Sequence, residues 1–455
     1  MNQNNISATE LFQRVRELLT LPDLEPKTRN KMMHDTLILC CHEGVKDTRQ
    51  AFGNLFSQVD YLCKARGIKV ADKIAIQTMR RHSNSQEPLS GEDLKYDARA
   101  LTLFISAVFE ERIPHEVNVL IPHINRPFQK GLEINNRRIR CIVKNWDSDF
   151  IRVDIDQDAD EEEYLVRLKD EENHIDHTYL WDLLKEGMQL NLLDCQVKQP
   201  IITPRLIVVE PDYLVDISSI ATCFTAFGHH PLLYLLNLMK PRANTQATLL
   251  GNFAGAALDD IINSHGKYQV NETVKSNFRE KALEFCTCPW FDAKKFYTDA
   301  NLQAFNLQQV VDILFPRTAS QAKMSAFRGE SLYDRKKAIL EPSFVCEALG
   351  IQGRVDLMTT DCKLLVEQKS GRNMNIETHQ VDPAYHSYQL EPHYVQLLLY
   401  YGVLQHNFKL SNDRVNIRLL YSKYQPQDGL MVVAYYQKLF KEAIEYRNQL
   451  VAASF

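Results

Sequence analysis

The chain has 455 residues, of which 45% are hydrophobic and 24% charged, with a formal net charge of −5. That is too long for one ordinary domain and has the balance of a globular protein, so two or three domains are expected. No uncharged apolar stretch reaches the ~18 residues of a membrane helix, which argues against a membrane partner.

The charge is uneven. Residues 151–200 hold 5 Lys and Arg against 14 Asp and Glu, a local balance of −9 that leaves +4 for the rest. Acidity confined to one region does not veto a nucleic-acid partner elsewhere. The ten cysteines are scattered. Neither Cys40–Cys41 nor Cys286-x-Cys288 has zinc-site spacing, so buried reduced thiols are expected. The polar opening MNQNNISATELF lacks the apolar core of a signal peptide, and a cytoplasmic location is expected.

From Ser7 to about Phe109 the pattern is helical. SATELFQRVRELL opens on Ser and Thr cap candidates and repeats apolar residues at spacings of three and four. RQAFGNLFSQVDYLCKARG and YDARALTLFISAVF read the same way. The basic TMRRHSN (Thr78 to Asn84) is read as a solvated helix end, with contact to a phosphate backbone as the alternative.

From about Arg126 to Glu210 short strands take over: RRIRCIVKN, DFIRVDID, EYLVRLKD, MQLNLLDCQV and PRLIVVE, with one helix-like interruption, TYLWDLLKEG. Five strands and a helix predict a small closed barrel of the OB type. The acidic DIDQDADEEEY in its middle is not a calcium loop. Counted from Asp154, Ala159 stands where Gly is needed and Leu165 where Glu is needed.

Beyond Pro211 helices and strands mix, predicting an α/β domain. Helices are expected over Ser218–Met239 and Thr245–Ser264, then helical chain to about Phe315. Strands follow near Ala338–Glu347, Gly353–Met358 and Lys363–Lys369, then a helix near His393–Gln405, the strand VNIRLLYSK and a closing helix. No GxxxxGK[ST] occurs, and GNFAGAAL is not a dinucleotide fingerprint, so no ATPase motor is expected in this sequence.

One stretch, GRVDLMTTDCKLLVEQKSG (Gly353 to Gly371), sets charges among core-type residues, where charges are seldom placed without partners. As a hairpin with TTDC at its turn, it carries Asp356 on one strand and Glu367 and Lys369 on the other. Residues two apart on a strand share a face. Two carboxylates side by side repel unless a proton or cation joins them. Hard oxygen donors suit Mg²⁺ or Mn²⁺. The competing reading is a Lys–Glu ladder on a solvated strand face.

The arrangement GRVD…VEQKSG resembles the PD-(D/E)XK nuclease superfamily in its RecB-like branch. Glu341 in AILEPSF and the Q-x-x-x-Y helix in HYVQLLLYYGVL (Gln396 and Tyr400) match that branch. YLVDISSIATCF…LLGNFAGAALDDII and the barrel-then-nuclease order are similar to nuclease–helicases that process Okazaki-fragment flaps. The resemblance covers roughly Arg126 to the C-terminus.

By that resemblance Asp356, Glu367 and the main-chain carbonyl of Gln368 hold Mg²⁺ or Mn²⁺, and Asp356, Glu367 and Lys369 are catalytic. Arg354, Glu341, Gln396 and Tyr400 support the site or contact DNA. Val355 stands where the superfamily's name has Pro. Gly255 stands where the branch usually carries a metal-binding His; His229, His230 and His265 are possible substitutes in space. No Cys follows Cys362, so no iron–sulfur cluster is expected.

The expected fold is multidomain: a helical region of unassigned role (1–125), an OB-like barrel (126–210) and a RecB-like nuclease domain with a mixed sheet flanked by helices (211–455). The expected function is metal-dependent DNA hydrolysis on single-stranded or flapped substrates in replication or repair. A helicase, fused or separate, is the expected partner. Trp146, Phe150 and Arg138 are candidates to meet a single strand on the barrel. The alternatives are a catalytically silent DNA-binding module of a helicase complex and a restriction-type endonuclease.

Overall fold

A computed structural model of the chain describes residues 6–21, 25–48, 50–85, 89, 91–125, 137–156, 163–241, 244–264, 268–410 and 415–454. Two compact units form: residues 1–213 with 454–455, and residues 214–453.

The first unit opens with five long helices, Ala8–Thr20, Pro26–Val45, Leu55–Ala65, Val70–Ser83 and Gly91–Phe109. Ser7 caps the first in a reciprocal box with Glu10, satisfying end groups the helix cannot pair itself. Leu11, Val15, Leu37, Leu62 and Phe104 lie in their shared core. In TMRRHSN, Arg80 and Arg81 both pair with Asp156, and His82 pairs with Asp97 at 2.7 Å. Those arginines tie a helix to a strand.

The strands of this unit are β1 (Arg138–Trp146), β2 (Phe150–Ile155), β3 (Tyr164–Arg167), β4 (Lys169–Asp170), β5 (Ile175–Asp176), β6 (Gln189–Leu193), β7 (Gln196–Lys198), β8 (Ile201–Thr203) and β9 (Leu206–Val209). Seven of them form one sheet in the order β7-β8-β3-β2-β1-β6-β9, while β4 and β5 pair apart. The expected closed barrel is therefore corrected: among the described residues the sheet keeps β7 and β9 as separate edges. The outer edge of β6 is taken by β9, from Leu190–Val209 to Leu193–Leu206, so the sheet extends. TYLWDLLKEG gives only the 3₁₀ turn Thr178–Leu180. Most of the acidic DIDQDADEEEY lies outside the described residues.

The second unit adds β10 (Val215–Asp216), β11 (Phe224–Thr225), β12 (Gly228–His229), β13 (Ala338–Leu340), β14 (Ser343–Cys346), β15 (Ile351–Arg354), β16 (Leu357–Thr359), β17 (Leu364–Lys369), β18 (Asn416–Tyr421) and β19 (Leu430–Val432). A five-stranded mixed sheet runs β13-β16-β17-β18-β19, and β10-β15-β14 form a second sheet. β17 is central and lies parallel to β18, from Leu364–Asn416 to Lys369–Tyr421. The helices Gln246–Asn263 and Ala293–Leu314 pack on this sheet through Phe253, Leu258, Leu307 and Val311 against Leu364 and Val366.

Two expected elements are broken. Ser218–Met239 is a short helix, Ile217–Ala221, then the β11–β12 hairpin, then a helix over Leu232–Met239. Gly228 and Pro231 are the breakers that the apolar run concealed. Gly353–Met358 is split between β15 and β16, which belong to different sheets. The ribbon formed by β13–β14 and β15–β16 bends at both strands: Glu341 has a positive φ of 48°, and its N–H donates to the Asp356 carbonyl at 3.0 Å.

His229 holds the β11–β12 hairpin to two helices. Its Nε2 lies 2.6 Å from Glu391 Oε2 and its Nδ1 2.7 Å from Glu442 Oε1. A ring that donates from both nitrogens is an imidazolium. Burial lowers the His229 pKa, but the hydrogen bonds and charges of Glu442 and Glu391 raise it overall. This stabilisation is full below the ordinary His pKa and fades as pH rises through the elevated one. His229→Gln should cost about 1–3 kcal/mol at pH 6, and the gap should narrow in alkaline buffer. Urea melts of both proteins across pH 6 to 9 check this, and parallel curves would refute it.

Candidate active site

β17 delivers the candidate charges. Its residues from Leu364 to Gln368 are all buried, because both faces of a central strand are covered. Glu367 is only 2% exposed. Lys369 Nζ donates to Glu367 Oε1 at 2.7 Å and to Gln396 Oε1 at 2.9 Å. Glu367 Oε2 is buried with no hydrogen-bond partner among the described residues.

Asp356 comes from the elbow of the bent ribbon, in the bend just before β16. The N–H of Gln368 donates to its Oδ2 at 2.5 Å, which brings Asp356 against the end of β17. The other side of Gln368 is anchored: its side-chain amide donates to Ser422 Oγ at 2.8 Å. Ser422 Oγ donates to Gln303 Oε1 at 2.7 Å, and Gln303 donates to the Ser370 carbonyl at 3.1 Å. This buried network fixes the strand's exit.

The helix Glu391–Phe408 supplies Gln396 and Tyr400 from one face, as residues four apart must. Tyr400 Oη donates to the Arg354 carbonyl at 2.6 Å. Gly353 permits that approach, since a Cβ there would lie 2.9 Å from the Tyr400 ring. Arg354 pairs with Glu341 at 3.0 Å on the exposed side of the elbow. Asp356, Glu367, Lys369, Arg354, Glu341, Gln396 and Tyr400 are thus linked in one constellation, whereas Trp146, Phe150 and Arg138 belong to the other unit. His229 is occupied elsewhere, by Glu391 and Glu442, and His265 lies outside the described residues. Gly255 has open space where a Cβ would stand.

Sequence reasoning missed Asp259. It sits on the Gln246–Asn263 helix, four residues beyond Gly255 and so on the same face. Burial first, then the charges of Glu341, Asp260 and Asp356, push its pKa up to about 6. The helical spacing from Gly255 in GAALD was the available signal.

The titrations reflect burial first and neighbouring negative charge second. Burial, then the Asp356 charge, raise Glu367 to about 8 against the pull of Lys369. Burial likewise raises Asp356, although the Gln368 N–H and Lys369 oppose it. Burial and the Lys369 charge hold His393 neutral, down at about 3. Among the described residues no three His, Cys, Asp or Glu gather tightly enough to hold a metal by themselves. Two carboxylates and a main-chain carbonyl could instead hold an ion that keeps several waters, as Mg²⁺ does. The buried unpartnered Glu367 oxygen fits such an ion.

Without metal, native Glu367 keeps its proton to about pH 8, whereas the unfolded carboxyl loses it near pH ~4.3. The native state then binds more protons, so stability falls as pH rises across that window, by roughly 1.4 kcal/mol per pKa unit. Glu367→Gln should remove this fall and be the more stable protein at pH 8. Melts of both in EDTA between pH 5 and 8 check it; identical slopes would count against the burial described.

No family model matches the chain, and no curated protein matches its sequence.

Proposed function

We propose that the chain is a metal-dependent deoxyribonuclease of the RecB-like PD-(D/E)XK kind, hydrolysing phosphodiester bonds. The observation that carries this reading is the meeting of Asp356 with buried Glu367 and the Lys369 ammonium at the end of a central strand. Such crevices beyond strand ends are where open α/β sheets bind ligands.

Asp356, Glu367 and the Gln368 main-chain carbonyl would hold Mg²⁺ or Mn²⁺. The ion would supply a water of lowered pKa and offset charge on the phosphodiester. Lys369, which donates to Glu367 and Gln396, would as an ammonium orient the attacking water and steady the developing oxyanion, or as the neutral amine take the water's proton. Gln396 keeps the ammonium aimed, and Tyr400 fixes the backbone from which Arg354 reaches a phosphate. Asp259, close enough to feel the Asp356 charge, adds a further carboxylate.

The proposed substrate is single-stranded or flapped DNA. Trp146, Phe150 and Arg138 of the open seven-stranded sheet would meet a single strand. Of these, Trp146 is half packed into the sheet's core and Phe150 lies under Arg167 at 5.8 Å. A helicase, fused or separate, would present the strand. Gly255 favours one rival, a silent DNA-binding module, because it supplies no ligand from its helix position.

End-labelled single-stranded, flapped and duplex DNA, incubated with Mg²⁺, Mn²⁺ or EDTA, tests the proposal. Wild type should cut single-stranded or flapped DNA with either metal and not in EDTA. Lys369→Ala should lose about 10²–10⁴-fold in rate while still binding DNA. Binding without cutting under both metals would make the silent module the better reading. Discrete products from duplex alone would favour the restriction-type enzyme.

A further inference from the structure

The helix Leu232–Met239 reads LLYLLNLM and buries none of its residues. Leu232 is 55% exposed, Leu235 44%, Leu236 56% and Met239 82%. These positions are i, i+3, i+4 and i+7, so they form one apolar stripe along a single face. Phe227, at the tip of the hairpin before it, is fully exposed. Monomers rarely show contiguous apolar surface of this kind unless it meets something.

We propose that this stripe is a two-fold contact between two copies of the chain, each pairing its Leu232–Met239 helix with that of the other. The composition favours a second copy over other occupants. In a two-fold contact, residues near the axis face their own counterparts, so any charge would face a like charge. From Phe227 to Met239 there is no Asp, Glu, Lys or Arg. The one fixed charge, on His229, is already held by Glu391 and Glu442. The stripe itself carries no basic residue, exposed Lys240 standing only at its C-terminal end, and one Lys is far short of the basic cluster that a nucleic-acid backbone or an anionic membrane takes.

The stripe and Phe227 together expose on the order of 600 Å² per chain, which puts a dimer built on them at the small end of specific interfaces, about 1,200 Å² over both partners. An apolar seam at helical spacing also matches an identical seam, as in paired helices generally.

Sedimentation of the full chain over a wide concentration range tests the contact. Wild type should dimerise, and Leu236→Glu should weaken the dimer at least about tenfold by burying a charge against its twin. An equal mixture of Leu236→Glu and Leu236→Lys should form a mixed dimer that neither forms alone. Unchanged melting temperatures would be expected of both variants, the position being exposed. The proposal is overturned if wild type stays monomeric throughout, or if its dimer ignores both substitutions. It is also overturned if monomeric wild type floats with phosphatidylcholine vesicles and Leu236→Glu does not, which would assign the stripe to a neutral lipid surface.

Discussion

The second unit is organised around a carboxylate that is out of water on a strand paired on both sides. Glu367 is 2% exposed, with one oxygen on Lys369 and the other without a hydrogen-bond partner among the described residues. A buried polar atom left unmatched costs about 1–3 kcal/mol, and an ionised one more. In the metal-free chain the cost is limited by keeping the proton, hence the elevation to about 8. Much of the nearby structure acts to stop Glu367 from escaping to solvent. β18 locks β17 by parallel pairing through Lys369, and Gln303, Ser422 and Gln368 bind the strand's end from beneath.

The second constraint is the elbow. A straight ribbon would carry Asp356 along one sheet and leave it as one residue in a ladder. Bending at Glu341 and Val355 lets β14 and β15 leave the five-stranded sheet, and Asp356 then sits at the junction of two sheets. There it is reached by the Gln368 N–H, and Glu341 and Arg354 project from the same corner. Tyr400 on the Glu391–Phe408 helix ties that corner down through the Arg354 carbonyl. His229 in turn ties the start of that helix to the C-terminal helix through Glu391 and Glu442. Backbone strain at Glu341, with its positive φ, is held by contacts on both sides of the bend.

Local signals were legible where local physics decides. Ser7 and Glu10 specify a helix start by themselves, and the Q-x-x-x-Y spacing puts Gln396 and Tyr400 on one face whatever surrounds them. Strand identity over residues 138–209 was legible from apolar runs, but closure was not. Closure depends on which edge each strand offers, and β9 competing for the edge of β6 leaves no mark in either segment. The break of Ser218–Met239 was written in Gly228 and Pro231, but the apolar density of LLYLLNLM outweighed them. TMRRHSN looked solvated because Asp156, its partner, is more than seventy positions away. Asp259 was overlooked for the converse reason: a lone acid in an amphipathic helix looks ordinary until the elbow stands opposite it.

The competing account of GRVD…VEQKSG was a Lys–Glu ladder on a solvated strand face; with Glu367 only 2% exposed, what is left of it is a buried structural pair. A structural pair is stable in a core when each charge has its complement and the remaining lone pairs are hydrogen-bonded. Around Lys369 and Arg354 stand four carboxylates, Asp259, Glu341, Asp356 and Glu367, close enough that Asp259 responds to Glu341 and Asp356, and Glu367 to Asp356. Replacing Lys369 by an apolar residue would deepen that surplus, and replacing Glu367 would relieve it. A pair kept for stability would behave oppositely, losing by either change. An unmatched buried oxygen and carboxylates that raise one another's pKa are what a pair kept for stability would avoid, and the Lys369 ammonium on the other Glu367 oxygen does not answer them.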